Sequence, residues 1–169
     1  MSEKETLFST KFKYVGILSF KSVYKFCYDW LVDETGMLLT ETKYVEKLKG
    51  ESRDLDLEWE GFTKFTDYFR FDIKVTMQIL GLKEVEITKD GKKYKTNEGS
   101  FEMRVKGTLV RDWQGKFEKN GFQKFLRAIY EKWIIPTRVD QFEGKIIGDC
   151  DEFLGETKAF LALEGKVRH

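Results

Sequence analysis

Residues 55–79, LDLEWEGFTKFTDYFRFDIKVTMQI, alternate with a period of two. Leu55, Leu57, Trp59, Gly61, Thr63 and Phe65 share one register, and Phe69, Phe71, Ile73, Val75, Met77 and Ile79 continue it. The other register carries Asp54, Asp56, Glu58, Glu60, Lys64, Arg70, Asp72 and Lys74. Successive side chains of a strand point to opposite faces, so this stretch has one apolar and one charged face. A single strand of that length would run to about 80 Å at about 3.3 Å per residue. The pattern therefore predicts two strands, broken at Thr66-Asp67, with Asp67 as a turn residue.

The neighbouring segments extend the sheet. KFKYVGIL (11–18) reads as a first strand with Gly16 as a candidate bulge, preceded by a flexible start at 1–10. LLTETKYVEKLK (38–49) reads as a strand. KEVEIT and KKYKT flank Asp90-Gly91, a two-residue hairpin signal. NEG (97–99) reads as a turn into SFEMRVKGTLVRDW, where Phe101, Met103, Val105, Leu109 and Trp113 share a face.

Helical spacing marks the rest. Phe20, Val23, Cys27, Trp30 and Leu31 form one face, between a Ser19 cap and a Gly36 stop. A second helix is expected over 122–135, with Phe122, Phe125, Leu126, Ile129 and Trp133 on one stripe and Pro136 ending it. A long helical region follows, with Val139, Phe142, Ile146, Cys150, Phe153, Thr157 and Phe160 in register. Gly144, Gly148 and Gly155 weaken it, and either admit another backbone or mark a kink.

Together these elements predict one α+β domain over 1–169: a curved antiparallel sheet of about six to seven strands, packed on a helix after strand 1 and on long C-terminal helices. The order of elements resembles the helix-grip fold of the START and Bet v1-like superfamily. It departs from that order in having one helix after the first strand and an extra helix before the last. The resemblance implies an apolar cavity between the sheet and the final helix.

Little in the chain suggests reaction chemistry. The single histidine is the terminal His169, a position that cannot hold a general base in register. That argues against Ser–His and Cys–His mechanisms and histidine-based metal sites, and no phosphate-binding or dinucleotide-binding glycine motif is present. Cys27 and Cys150 fall on apolar helical faces and read as buried thiols acting as small hydrophobes. Asp54, Asp56, Glu58 and Glu60 line one strand face. Four such carboxylates could bind Mg²⁺ or Ca²⁺, but a solvated face paired with lysines such as Lys43 or Lys47 explains them more simply. Phe62, Lys64, Tyr68, Arg70 and Lys74 mix rings with cations on the outer face. Glu58, Glu60 and Asp72 share that face, so nucleic acid is not the expected partner.

Net charge is +1, so no global field draws the chain to anionic partners. The segment around the second helix differs: Lys116, Lys119, Lys124, Arg127, Lys132 and Arg138 stand against Glu118 and Glu131. The longest apolar run is AFLAL and the start is charged, so a soluble, intracellular, cytoplasmic protein is expected, without metal or cofactor.

The first functional expectation is non-catalytic binding of a hydrophobic small molecule or lipid between sheet and helix. Trp59, Phe69, Phe71, Met77, Met103 and Phe153 are the candidate lining residues. The alternative is an interaction or assembly module. It would meet a protein partner or a membrane surface through the basic amphipathic helix 122–135, with Lys119, Lys124, Arg127 and Lys132 on the contact surface.

Overall fold

In a computed structural model, residues 3–114, 121–129, 132 and 136–166 are described. The element order is β1 (Glu3–Ile17), α1 (Phe20–Thr35), β2 (Leu38–Lys49), β3 (Ser52–Lys64), β4 (Phe69–Lys89), β5 (Lys92–Arg111), α2 (Gly121–Ile129) and α3 (Pro136–Lys166). The break in the alternating segment falls where the sequence placed it. Thr66 Oγ1 accepts from the backbone N–H of Tyr68 and of Phe69, which holds the turn, and Asp67 is exposed within it.

Among the described residues the sheet has five strands, all antiparallel, in the order β1-β5-β4-β3-β2. The expected six to seven collapse to five because two apparent breaks lie inside continuous strands. Gly81, at φ +63°, and Leu82 stand opposite Gly99, so 80–83 is a bulge and β4 runs through it. The NEG stretch is likewise paired within β5, where Asn97 faces Glu84 and Glu98 faces Lys83. Asp90 and Gly91, both at positive φ, make the hairpin turn as expected.

Three boundaries differ from the sequence reading. β1 starts at Glu3, opposite Arg111, so residues 3–10 are paired strand and not a loose lead-in. Its irregularity lies between Thr6 and Phe8, and not at Gly16. Pro136 opens α3, where its missing N–H leaves no helical bond unmade. Where the expected 122–135 helix ends, together with Trp133 and Lys119, lies outside the described residues.

Both α1 and α3 cover the apolar face of the sheet. Ser19 Oγ caps α1 and Gly36, at φ +70°, ends it. Tyr24 and Tyr28 each meet the Trp59 ring in a T-shaped contact, with centroids 5.1 and 5.7 Å away. Phe142 of α3 stacks on Phe65 at 4.6 Å, and Phe153 meets Trp30 of α1 at 5.4 Å. Farther along, Phe160 stacks on Phe26 at 4.6 Å. One close approach between helix and sheet is made by a strand glycine. A Cβ on Gly107 would lie 2.6 Å from Cys150 Sγ and 3.1 Å from Ile146 Cγ2. At Gly144, Gly148 and Gly155 a Cβ would meet nothing within 4 Å, so these helix glycines admit no neighbouring backbone.

Candidate functional site

The sheet–helix interior holds all six residues expected to line a cavity. Trp59, Phe69, Phe71, Met77, Met103 and Phe153 are each 1% exposed or less and belong to one packed cluster. Trp59 makes a polar contact at the edge of this core: its Nε1–H donates to Glu41 Oε2 at 2.9 Å, and the Tyr24 hydroxyl donates to the same oxygen at 2.7 Å. Burial and the Glu41 carboxylate push the Tyr24 hydroxyl up to about 12. Both cysteines are buried as expected. Cys27 Sγ lies 3.7 Å from Thr157 Oγ1, and burial raises each thiol to about 12, which keeps it protonated near neutral pH.

The charged face of the sheet is a network of ion pairs. Lys49 meets Asp54 at 2.8 Å and Lys74 meets Glu58 at 3.2 Å, while the N–H of Gly81 donates to Asp54 Oδ1 at 2.9 Å. The partners are thus Lys49 and Lys74, while Lys43 and Lys47 are the backbone neighbours of Glu58 and Asp54 across the β2–β3 ladder. Among the described residues no group of three or more His, Cys, Asp or Glu is arranged to hold a metal ion.

Two residues leave the faces that alternation assigned them. Trp113 follows Asp112, whose φ of +51° ends the strand alternation. Its ring lies beneath Lys64 Nζ at 4.9 Å and near the Arg70 guanidinium, with Nε1–H donating to the Thr66 carbonyl. Tyr68, expected on the outer face, is buried, and its hydroxyl accepts from Arg127 Nε at 3.0 Å.

Arg127 shows how α2 is held. It is a buried residue of that helix, and Arg127 Nη2 also lies 2.9 Å from Glu3 Oε2. At 100° per residue, Arg127 stands about 140° around the helix from Phe122. The apolar stripe therefore points away from the flank that anchors the helix. Phe122 is 68% exposed, Phe125 60% and Leu126 39%, while the exposed Lys124 stands about 160° around the helix from Phe122, nearer to Arg127. Of the stripe that the sequence placed on this helix, Phe122, Phe125 and Leu126 face solvent, Ile129 is half-buried, and Trp133 lies outside the described residues. Arg127, grouped with the contact-surface cations by sequence, is instead the anchor.

A second apolar surface lies between α1 and α3. A cleft of about 490 Å³ has Phe26, Trp30 and Phe160 on its floor, with Asp29, Asp33 and Glu34 among its polar lining. The lysine in the cleft, Lys25, is already paired with Asp29 at 2.5 Å. Sequence reasoning did not single out Phe26, Asp33 or Glu34. The available signal was the Phe26–Trp30 pair four residues apart, a second apolar stripe beside the Val23–Cys27 face.

No described helix is long and apolar enough to cross a membrane. Compared with protein-family models, curated proteins and solved structures, the chain gives no match.

Proposed function

We propose that this protein is a non-catalytic interaction module that docks through the outward face of α2. One observation carries the reading: Phe122, Phe125 and Leu126 form the apolar stripe of a helix fastened by its opposite flank, so the stripe packs on nothing described. Exposed aromatics cost solubility unless something covers them, and grouped ones mark contact surfaces. Binding of a lipid in the interior, the other expectation, would require the six core residues to part, at the cost of their packing.

The test is the double variant Phe122→Ser/Phe125→Ser. On this reading it melts within about 2 °C of wild type, since exposed substitutions typically stay within about 0.5 kcal/mol. It also loses concentration-dependent association or flotation with anionic vesicles, whichever the wild type shows. A fall of many degrees would make the stripe part of the core and defeat the reading. A lipid-sized extra mass in native mass spectrometry, unaffected by the double variant, would favour the interior ligand instead.

A further inference from the structure

The geometry points to a second site, independent of the α2 face: the α1/α3 cleft takes a small organic cation, an ammonium group carried on an aromatic or aliphatic body. At about 490 Å³ the cleft is within the range that holds a small molecule, about 300–1,000 Å³. Its floor is made by Phe26, Trp30 and Phe160, all half-buried. These rings are fixed by their neighbours, since Phe26 stacks on Phe160 at 4.6 Å and Trp30 meets the buried Phe153 at 5.4 Å. A ligand on this floor leaves the core undisturbed. Aromatic rings attract an apolar body by removing area from water, and a cation through the negative charge of the ring face.

Charge selects the cation. Asp29, Asp33 and Glu34 line the cleft against a single lysine, Lys25. Lys25 is bound to Asp29 at 2.5 Å and meets Asp33 only at longer range. Among the described residues neither Asp33 nor Glu34 makes a salt bridge, so the cleft keeps an excess of negative charge. Trp30 precedes Asp33 by three residues and Glu34 by four, which makes both carboxylates its neighbours on the helix surface. Helix stability does not account for them. Both stand in the last turn of α1, which holds no basic residue, and there the helix dipole already presents negative charge. The carboxylates and the carbonyl end of α1 thus make one end of the cleft negative. An ammonium group beside Trp30 offsets that charge while its apolar body lies along Phe26 and Phe160. Exposed ion pairs are weak and screened, so a Kd on the order of 0.1–1 mM is expected, weaker still in high salt.

Three probes that share a ring and differ in charge test this: benzylammonium, benzyl alcohol and benzoate, each titrated into the full chain and followed by two-dimensional amide NMR. Benzylammonium should shift the amides of 26–35 and 153–160 saturably, and with them the Trp30 indole N–H, identified by its loss in Trp30→Phe. Benzyl alcohol should bind at least about threefold more weakly and benzoate more weakly again. Asp33→Asn/Glu34→Gln should weaken benzylammonium about three- to tenfold and leave benzyl alcohol unchanged. Because it lifts charge from the negative end of α1, the same variant should melt no lower than wild type. Benzylammonium and benzyl alcohol binding equally would reduce the cleft to a plain apolar surface and overturn the cation. Shifts that never saturate, or that centre on Asp54 and Asp56 of β3, would remove the site. A double variant that melts several degrees lower would give the carboxylates a structural role and overturn the inference too. So would cleft shifts that grow with protein concentration and no added cation, which would make a second copy of the chain the occupant.

Discussion

Replacing Gly107 by alanine is the sharpest test of how α3 sits on the sheet. The added Cβ would stand 2.6 Å from Cys150 Sγ and 3.1 Å from Ile146 Cγ2, inside the 3.4–4 Å of ordinary contact. Cys150 must therefore retreat by close to an ångström and Ile146 by a few tenths. Neither has open space to move into, because both are fully buried. α3 as a whole is also pinned, by Phe142 on Phe65 and by Phe153 on Trp30. Overpacking of this kind costs about 1–3 kcal/mol. Alanine in a strand offsets roughly 0.5–1 kcal/mol of that, because glycine loses more backbone freedom on folding. The difference spans about 0–2.5 kcal/mol; a contact as short as 2.6 Å puts the loss at about 1–2.5 kcal/mol, which for a chain of this size lowers Tm by roughly 2–10 °C. Urea unfolding followed by tryptophan fluorescence gives the free energy. Cys150→Ala supplies the control, since it removes the sulfur that clashes and leaves room for the new methyl. The Gly107→Ala/Cys150→Ala pair should therefore be more stable than the sum of its parts, by roughly 0.5–1.5 kcal/mol. A single variant as stable as wild type, or strictly additive costs, would refute the proposed contact.

Other perturbations follow from the same packing. Gly81→Ala forces a Cβ into φ +63° at the β4 bulge and should cost about 1 kcal/mol in urea titration; Gly144→Ala, in open space on α3, should instead stabilise by up to about 1 kcal/mol. Glu41→Ala strips the acceptor from Trp59 Nε1–H and the Tyr24 hydroxyl, costing about 1–3 kcal/mol, and a spectroscopic tyrosine titration should show Tyr24 ionising below about 12. Cys27 and Cys150, raised from 9.0 to about 12, stay protonated in the folded chain at a pH where the unfolded chain gives up its protons. Their contribution is complete below pH 9 and falls as pH rises towards about 12, by up to about 1.4 kcal/mol per thiol per pH unit, so unfolding midpoints should drop steadily across that window. Thiol labelling at pH 8 should likewise be slow in the folded protein and fast in urea; rapid native labelling would contradict the burial.

Much of the fold was legible because its signals are local. The Leu55–Ile79 alternation, the Ser19 and Gly36 helix ends, and the Asp90-Gly91 turn each depend on residues adjacent in sequence, and each stands where the pattern placed it. The same locality explains the errors. A glycine within an alternating run signals a bulge and a strand end equally well, and only pairing opposite Gly99 makes Gly81 a bulge. Trp113 continues the alternation on paper, but the positive φ of Asp112 turns it to the other side. Gly144, Gly148 and Gly155 of α3 suggested a close backbone contact, yet the close approaches are at Gly107, on β5, and at Gly165 near the end of α3, where a Cβ would lie 2.7 Å from the Tyr14 hydroxyl.

Periodicity by itself determined that this chain builds an antiparallel sheet with one apolar face and helices to cover it, since periods of two and 3.6 are fixed by backbone geometry. It also identified the apolar stripe of α2. Which apolar faces are spent on the core and which are left over is a property of the whole assembly. α1 and α3 already cover the sheet, and Arg127 holds α2 by the opposite flank through Tyr68 and Glu3, so the stripe of α2 is left facing water. The α1/α3 cleft likewise exists only because two helices far apart in sequence bring Phe26 and Phe160 together. Apolar patterning tells which side of an element seeks cover; only the tertiary structure decides whether the same chain provides it.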